Sequence, residues 1–311
     1  MPSSLLFGLI GYPVKHSFSA AMHTAAFKKL NINAEYRLFE VPPKDLEGFL
    51  LGKIKTNDVK GKEFLSSGIS FFNITIPHKI RAKEILEKNF PVQETQITLK
   101  DFYYVKLSGA INTIKKTCGE TKYYNTDAWG FLKSLEEDLK FDPKGKEIFV
   151  NGCGGAGRAV IAALSWSNVG IKKIYVNDIN EQAIDSAKKH FSHLPQWSEL
   201  KDRLQFISKD RIQDFINKAQ LFVNASPIGM KEVDIPAVKK DWLHRDLSIY
   251  DVVYNRVTEL VKFGKELGIP ATGGLGMLLY QGAAAFEIWT EKPAPIEEMR
   301  YALKEEMNKC H

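Results

Sequence analysis

A glycine turn, a lysine, an aspartate and a pair of serines carry the chemistry this sequence offers. The turn is Val150-Asn151-Gly152-Cys153-Gly154-Gly155-Ala156-Gly157-Arg158, set between the strand-like run Glu147 to Val150 and the helix-like run Ala159 to Leu164. Strand, glycine turn and helix in that order are what a dinucleotide site requires. With no side chains in the way, backbone N–H groups can approach a pyrophosphate, and the helix N-terminus adds partial positive charge. The Gly-x-Gly-Gly-x-Gly spacing also fits a tight turn that binds nothing. A second strand, Lys173 to Val176, ends in Asn177-Asp178, where an acid would lie beside an adenosine ribose. Lys79 follows a strand-like run and stands at the start of a helix, a place the helix dipole makes unfavourable for a cation. The plainer alternative is a surface lysine. Asp127 also stands near a helix start, either as a functional acid or as a first-turn acid stabilised by the dipole. Ser17 and Ser19 precede another helix. One of them could be its N-cap, or both hydroxyls and the helix N–H groups could hold an anion such as a carboxylate.

Charge and composition exclude several other classes. The chain has 43 Lys+Arg against 37 Asp+Glu, a net charge of +6 over 311 residues. Its lysines are scattered over apparent helix faces with no long basic tract, so a solvated surface and no nucleic-acid partner are expected. Cys118, Cys153 and Cys310 are far apart and lack metal-ligand spacing, which points to reduced thiols and no metal site. Cys153 reads as a small filler of the turn rather than a nucleophile. There is no charged-then-apolar leader and no run of membrane-spanning length, so a soluble, cytoplasmic protein without a membrane partner is expected.

The elements that must position these residues follow from apolar periodicity. In the N-terminal part, strands are expected at Leu5 to Gly11, Ala34 to Val41 and Ile69 to Ile76, with helices from about Ala20 to Leu30, Lys44 to Leu51 and Ile80 to Glu87. Residues 52–67 read as a polar, irregular surface insertion, and 90–104 as less regular. Gly109 to Ile114 resembles a turn entering a strand, and Tyr123 to Gly130 leads into a helix through Leu139. Beyond Lys144, strands at Glu147 to Val150, Lys173 to Val176, Leu204 to Ile207, Ala219 to Asn224 and Leu247 to Val253 alternate with helices at Glu181 to Phe191, Arg211 to Asn217 and Thr258 to Leu267. Nearly continuous apolar strands separated by helices indicate a doubly wound parallel sheet. A flexible turn at Gly273 to Gly276 precedes a long apolar helix, Met277 to Trp289, and an amphipathic one, Glu297 to Met307.

Across this frame, several polar clusters together resemble the shikimate dehydrogenase family, including its quinate/shikimate dehydrogenase members. They are Gly11-Tyr12-Pro13 with His16-Ser17-Phe18-Ser19, Asn73-Ile74-Thr75-Ile76-Pro77-His78-Lys79, Gly109-Ala110-Ile111-Asn112-Thr113, Tyr124-Asn125-Thr126-Asp127-Ala128-Trp129-Gly130, Asn224 to Met230, Asp251-Val252-Val253-Tyr254, and Gly274 to Gln281. The resemblance runs from about Leu6 to Trp289. It implies an α/β protein of two domains. One is an N-terminal three-layer α/β substrate domain, residues 1–122 completed by 275–311. The other is a Rossmann-like nicotinamide dinucleotide domain with a doubly wound parallel sheet, residues 123–274. The cleft between them would hold the reaction.

The family reaction implied is reversible hydride transfer at ring C3, reducing 3-dehydroshikimate to shikimate in the pathway to aromatic amino acids. By resemblance Lys79 and Asp127 flank the reacting hydroxyl, where a proton must be taken and returned and developing negative charge stabilised. Ser17 and Ser19 correspond to the pair that holds the substrate carboxylate, with Tyr254 as a third donor. Thr75, Asn112 and Gln281 correspond to groups that read the ring hydroxyls. Gly152, Gly154, Gly155 and Ala156 would line the pyrophosphate, Asn177 and Asp178 the adenosine ribose, and Gly274 and Met277 the nicotinamide. Ala20 stands where the family usually has proline, and Thr24 where it often has asparagine. The consequential departure is Asn177-Asp178-Ile179, where NADP-using members carry Asn-Arg-Thr. An acid there repels a 2′-phosphate, and no arginine lies between Val176 and Phe191, so NAD is expected in preference to NADP. The expected partner is a small molecule, shikimate or 3-dehydroshikimate with quinate as a second candidate, bound by a monomer or homodimer. The competing readings are a catabolic NAD-dependent quinate/shikimate dehydrogenase, a folate-type dehydrogenase, and a non-catalytic relative that binds a metabolite.

Overall fold

Apolar strands alternate with helices from Leu5 to Lys309 in the computed structural model, which describes residues 4–92, 94–117 and 119–309. The chain divides into two units, one of Met1–Thr126 with Leu279–His311, the other of Asp127–Leu278. In the first, the order is β1 (Leu5–Gly11), α1 (Ser19–Lys29), β2 (Ala34–Glu40), α2 (Leu46–Leu50), β3 (Lys55–Asn57), β4 (Glu63–Leu65), β5 (Phe71–Ile74), α3 (Lys79–Asn89), α4 (Leu99–Ser108), β6 (Thr113–Thr117) and β7 (Glu120–Tyr124). The chain continues through α5 (Thr126–Glu137), β8 (Glu147–Asn151), α6 (Gly155–Ser165), β9 (Lys173–Asn177), α7 (Glu181–Ser192), α8 (Trp197–Leu200), β10 (Leu204–Phe206), α9 (Ile212–Ile216), β11 (Leu221–Asn224), β12 (Ser248–Asp251), α10 (Glu259–Leu267) and β13 (Ala271–Thr272). It returns to the first unit along α11 (Leu275–Thr290) and ends in α12 (Ile296–Lys309).

The first unit's sheet has the order β2-β1-β5-β6-β7. β1 is parallel to β2 and β5, while β6 is antiparallel to both β5 and β7. Strand side chains alternate between faces. Ile10 of β1 therefore joins Phe39, Phe49, Phe72 and Leu86 in one core cluster. Its neighbour Phe7 stacks with Phe27 of α1, Phe71 and Trp289 of α11. Helices thus cover both faces of this sheet.

The second unit's sheet has the order β10-β9-β8-β11-β12-β13, and every pairing is parallel. The order in which successive strands are laid down reverses between β8 and β11. In such open sheets ligands bind outside the carboxyl ends of the strands at this switch point. Beneath it the core is apolar, with Phe149 and Phe222 stacked at 5.6 Å.

Local structure departs from the sequence expectation in three places. Residues 52–67 contain the β3/β4 hairpin. Residues 90–104, read as less regular, run into α4 (Leu99–Ser108), opened by Thr98, whose hydroxyl accepts from the Asp101 N–H at 3.2 Å. Tyr123 and Tyr124 close a strand, β7, before the chain enters α5 at Thr126. Cys118 and Cys310 lie outside the described residues. Among the described residues no helix is long and apolar enough to cross a membrane, and no group of three or more His, Cys, Asp or Glu could hold a metal ion.

Candidate functional site

The glycine turn follows β8 directly. Gly152 donates its N–H to the Asn177 carbonyl at 2.7 Å. Its φ is +104°, and a Cβ there would sit 2.8 Å from the Ala225 carbonyl carbon, so only glycine closes this turn. Gly157 brings α6 against the same turn, since a Cβ on it would lie 2.0 Å from the Gly152 carbonyl oxygen. Gly154 differs: nothing lies within 4 Å of where its Cβ would be. It is also the N-cap of α6 and supplies no side-chain cap. The first N–H groups of that helix, on Gly155 and Ala156, are left facing an open approach, which fits a pyrophosphate. Arg158 is buried and donates to the Cys153 carbonyl at 3.3 Å and to Ser186 Oγ at 2.9 Å, tying α6 to α7. Burial, with the Asp178 carboxylate beside it, pushes the Cys153 thiol up to about 12, so it is no nucleophile at neutral pH.

Asp178 turns back into its own unit. One carboxylate oxygen accepts from the Cys153 N–H at 2.8 Å, the other from the Asn180 N–H at 2.9 Å. Asn177 is buried and donates its amide to the Ile207 carbonyl at 2.7 Å, which ties the end of β9 to β10. Tyr254 follows β12 and is half-buried. Gly274 donates its N–H to the Val253 carbonyl at 3.0 Å, and Met277 is buried one turn into α11. Asp127 is the second residue of α5 and is buried.

In the first unit the serines are not conventional caps. α1 begins at Ser19 with Phe18 as N-cap and no side-chain cap. Ser17 Oγ accepts from the Ser19 N–H at 3.3 Å and donates to Ser19 Oγ at 3.2 Å, so two hydroxyls meet at an uncapped helix start. Thr75 follows β5 and is held by its N–H to the Ile10 carbonyl at 2.9 Å. Lys79 is the first residue of α3. The residue before it, His78, is buried and donates from Nε2 to the Val41 carbonyl at 2.7 Å, clamping the approach to Lys79. Burial lowers the His78 pKa, so its neutral form makes this bond. Asn112 and Gln281, 169 residues apart, are hydrogen-bonded at 3.1 Å.

Some residues with no role assigned from the sequence support these. Asn73, Thr113 and Thr126 are buried and bonded to one another or to Asn112. The available signal was a polar residue inside an apolar strand, as in Phe71-Phe72-Asn73-Ile74. Asp251 is likewise buried at the end of β12 and accepts from Thr258 Oγ1 at 2.7 Å and Asn224 Nδ2 at 2.9 Å.

The sequence profile of the shikimate dehydrogenase substrate binding domain matches residues 9–95, and that of the shikimate 5'-dehydrogenase C-terminal domain matches residues 274–304. The chain is 37% identical over 303 residues to the shikimate dehydrogenase (NADP(+)) of Methanopyrus kandleri, covering 96% of this chain and 95% of the relative. It is 37% identical over 309 residues to that of Methanobrevibacter smithii, covering 98% of each. Among solved structures, shikimate 5-dehydrogenase from Thermus thermophilus in complex with NADP(H) and shikimate matches with a TM-score of 0.73 and 26% identity, covering 97% of this chain and 99% of that one.

These relatives correct the cofactor expectation. The Methanopyrus and Methanobrevibacter relatives are shikimate dehydrogenases (NADP(+)), and the Thermus protein is in complex with NADP(H), so the preference for NAD inferred from Asp178 does not stand. The physical reason lies in the direction of the carboxylate. Each Asp178 oxygen already accepts a backbone N–H, which offsets part of its charge and points it into the turn. From near full-length similarity, two matching domain profiles and the two-unit α/β architecture, it follows that the chain belongs to the shikimate dehydrogenase family of NAD(P)-dependent oxidoreductases.

Proposed function

We propose that the chain catalyses the reversible, NADP-dependent reduction of 3-dehydroshikimate to shikimate, acting in the cytoplasm as a monomer or homodimer on a small-molecule substrate. The observation that carries this reading is similarity to shikimate dehydrogenases over 96% of the chain. The matched profiles also span Ser17, Ser19, Thr75 and Lys79 at one end and Gly274, Met277 and Gln281 at the other. We assign substrate binding to residues 1–122 with 275–311, and dinucleotide binding to residues 123–274.

When bound, the nicotinamide supplies the hydride donor or acceptor. The chain does the rest. Lys79 and Asp127 hold the C3 oxygen and move its proton: oxidation of the alcohol sends the proton to this pair, and reduction of the ketone takes it back. The lysine cation also stabilises charge developing on that oxygen. Ser17 and Ser19 receive the carboxylate at the uncapped start of α1, joined by Tyr254. Thr75, Asn112 and Gln281 read the hydroxyls. The Gly152–Ala156 turn takes the pyrophosphate, Asn177 and Asp178 shape the adenosine end, and Gly274 and Met277 face the nicotinamide.

The test is oxidation of shikimate and of quinate, each with NADP+ and NAD+, followed by absorbance of the reduced nicotinamide. Turnover of shikimate with NADP+ is expected, and its absence overturns the proposal. Lys79→Met should lower turnover by about two to four orders of magnitude. It should change shikimate affinity far less. A variant that keeps more than about a tenth of the activity removes Lys79 from the chemistry.

A further inference from the structure

Behind Asn112 and Gln281, the first unit buries a chain of polar side chains whose hydrogen bonds run in one direction. Tyr36 of β2 donates its hydroxyl proton to Asn73 Oδ1 at 2.8 Å. Asn73 of β5 donates from Nδ2 to Thr113 Oγ1 at 2.9 Å and to the Asn112 carbonyl at 3.1 Å. That carbonyl can only accept, so the Asn73 amide has a single orientation and Tyr36 has to be the donor. Thr113 Oγ1 receives the Asn73 proton and lies 3.2 Å from Asn112 Oδ1, to which it can donate. The same Asn112 oxygen accepts the backbone N–H of Thr126 at 2.7 Å. A backbone N–H can only donate, so Asn112 is fixed as well. Its Nδ2 faces the other way and donates to Gln281 Oε1 at 3.1 Å. Gln281 therefore turns its carbonyl oxygen inward. Its planar amide then directs Nε2 away from Asn112.

All six residues are buried, Tyr36 and Gln281 being the most exposed at 7%. Reversing either amide of Asn73 or Asn112, or that of Gln281, would set donor against donor or acceptor against acceptor among buried groups, where a lost hydrogen bond is costly. Two backbone groups, the Asn112 carbonyl and the Thr126 N–H, set the direction. The side chains carry it to Gln281.

We infer that Tyr36, Asn73 and Thr113 are positioning residues that hold Gln281 with its amide N–H groups, not its carbonyl, toward the ligand, so that this position reads an acceptor lone pair on a substrate oxygen. The inference rests on the proposed role of Gln281 in substrate binding. It adds which atom does the reading and what holds it there.

Shikimate binding by calorimetry, KM, kcat, NADP+ affinity and thermal midpoint separate the outcomes. Thr113→Val should weaken shikimate binding and raise its KM about 3- to 30-fold. Turnover should change less than about threefold and NADP+ affinity not at all, and Thr113→Ser, which keeps the hydroxyl, should restore binding. Tyr36→Phe removes one hydroxyl without changing volume. It should act in the same direction and serves if Thr113→Val does not fold. Gln281→Glu keeps an inward acceptor for Asn112 but presents oxygen outward, so it should lose shikimate affinity by more than about thirtyfold. Gln281→Glu binding shikimate as well as wild type overturns the donor assignment. Lowered thermal midpoints with unchanged KM and affinity in Thr113→Val and Tyr36→Phe overturn the positioning role. A wild-type chain that neither binds nor oxidises shikimate overturns the proposed function, and this inference with it.

Discussion

His23 of α1 is fully buried, stacked on Tyr36 at 4.5 Å and packed beside Trp289. Burial lowers its pKa from 6.5 to about 3, with the nearby Asn73 raising it by less. Between those values the unfolded chain binds a proton that the folded chain does not, so stability falls as pH drops from 6.5 toward 3. Between neutral pH and pH 4.5 the loss should be on the order of 2–3 kcal/mol. In His23→Phe, which keeps a ring against Tyr36, urea titrations at the two pH values should show a flatter dependence, and an unchanged slope would show that His23 does not drive it. Asp251 works in the opposite sense. Burial raises its carboxyl from 3.8 to about 6, so its contribution is present below 3.8 and is lost as pH rises through 6. The serines offer a second residue-scale test. Each of Ser17→Ala and Ser19→Ala should cost roughly 1.5–3 kcal/mol of shikimate binding if the hydroxyls meet a carboxylate. Normal binding with easier unfolding would return them to a purely structural role. Phe18, the N-cap of α1, makes no side-chain cap, and Ser17 Oγ accepts the Ser19 N–H.

At the scale of elements, the strand–turn–helix unit β8–α6 separates folding from binding within one motif. Gly152→Ala forces a side chain into positive φ and against the Ala225 backbone, and should destabilise the second unit by about 1–3 kcal/mol or more. Gly154→Ala meets open space and should leave the thermal midpoint unchanged, while obstructing the approach of a pyrophosphate and weakening NADP+ binding. Calorimetry on the two variants checks this, and a Gly154→Ala protein that binds NADP+ like wild type would take the turn out of the cofactor site. The turn was legible because glycine spacing and flanking apolar runs are local signals. The hairpin β6/β7 was not. Glu120-Thr121-Lys122-Tyr123-Tyr124 has no alternation of apolar and polar residues, and its pairing with β6 is what makes it a strand. In α4 the cap Thr98 with Asp101 three residues on was a readable start signal that the polar surroundings obscured.

At the scale of the whole molecule, each ligand should leave its mark on a different unit. Hydrogen exchange should show shikimate protecting amides around Ser17–Ser19, Thr75–Lys79 and Asn112, and NADP+ protecting Gly152–Arg158. Protection by shikimate confined to the second unit would refute the division of labour proposed for residues 1–122 and 123–274. Periodicity and turn chemistry by themselves determined the kind of most long elements, though not of α4, together with the parallel sheet of the second unit and the glycine turn, because these depend on residues a few positions apart. Tertiary structure alone decided the rest. The role of Asp178 depends on the Cys153 N–H, 25 residues away, which the return of β9 beside β8 brings to its carboxylate. From its place at the end of a strand the same acid read as a ribose ligand favouring NAD. The pairing of Asn112 with Gln281 likewise depends on α11 returning to the first unit. A polar side chain's function is set by the donors and acceptors packed around it, and the sequence orders those along the chain without saying which will meet.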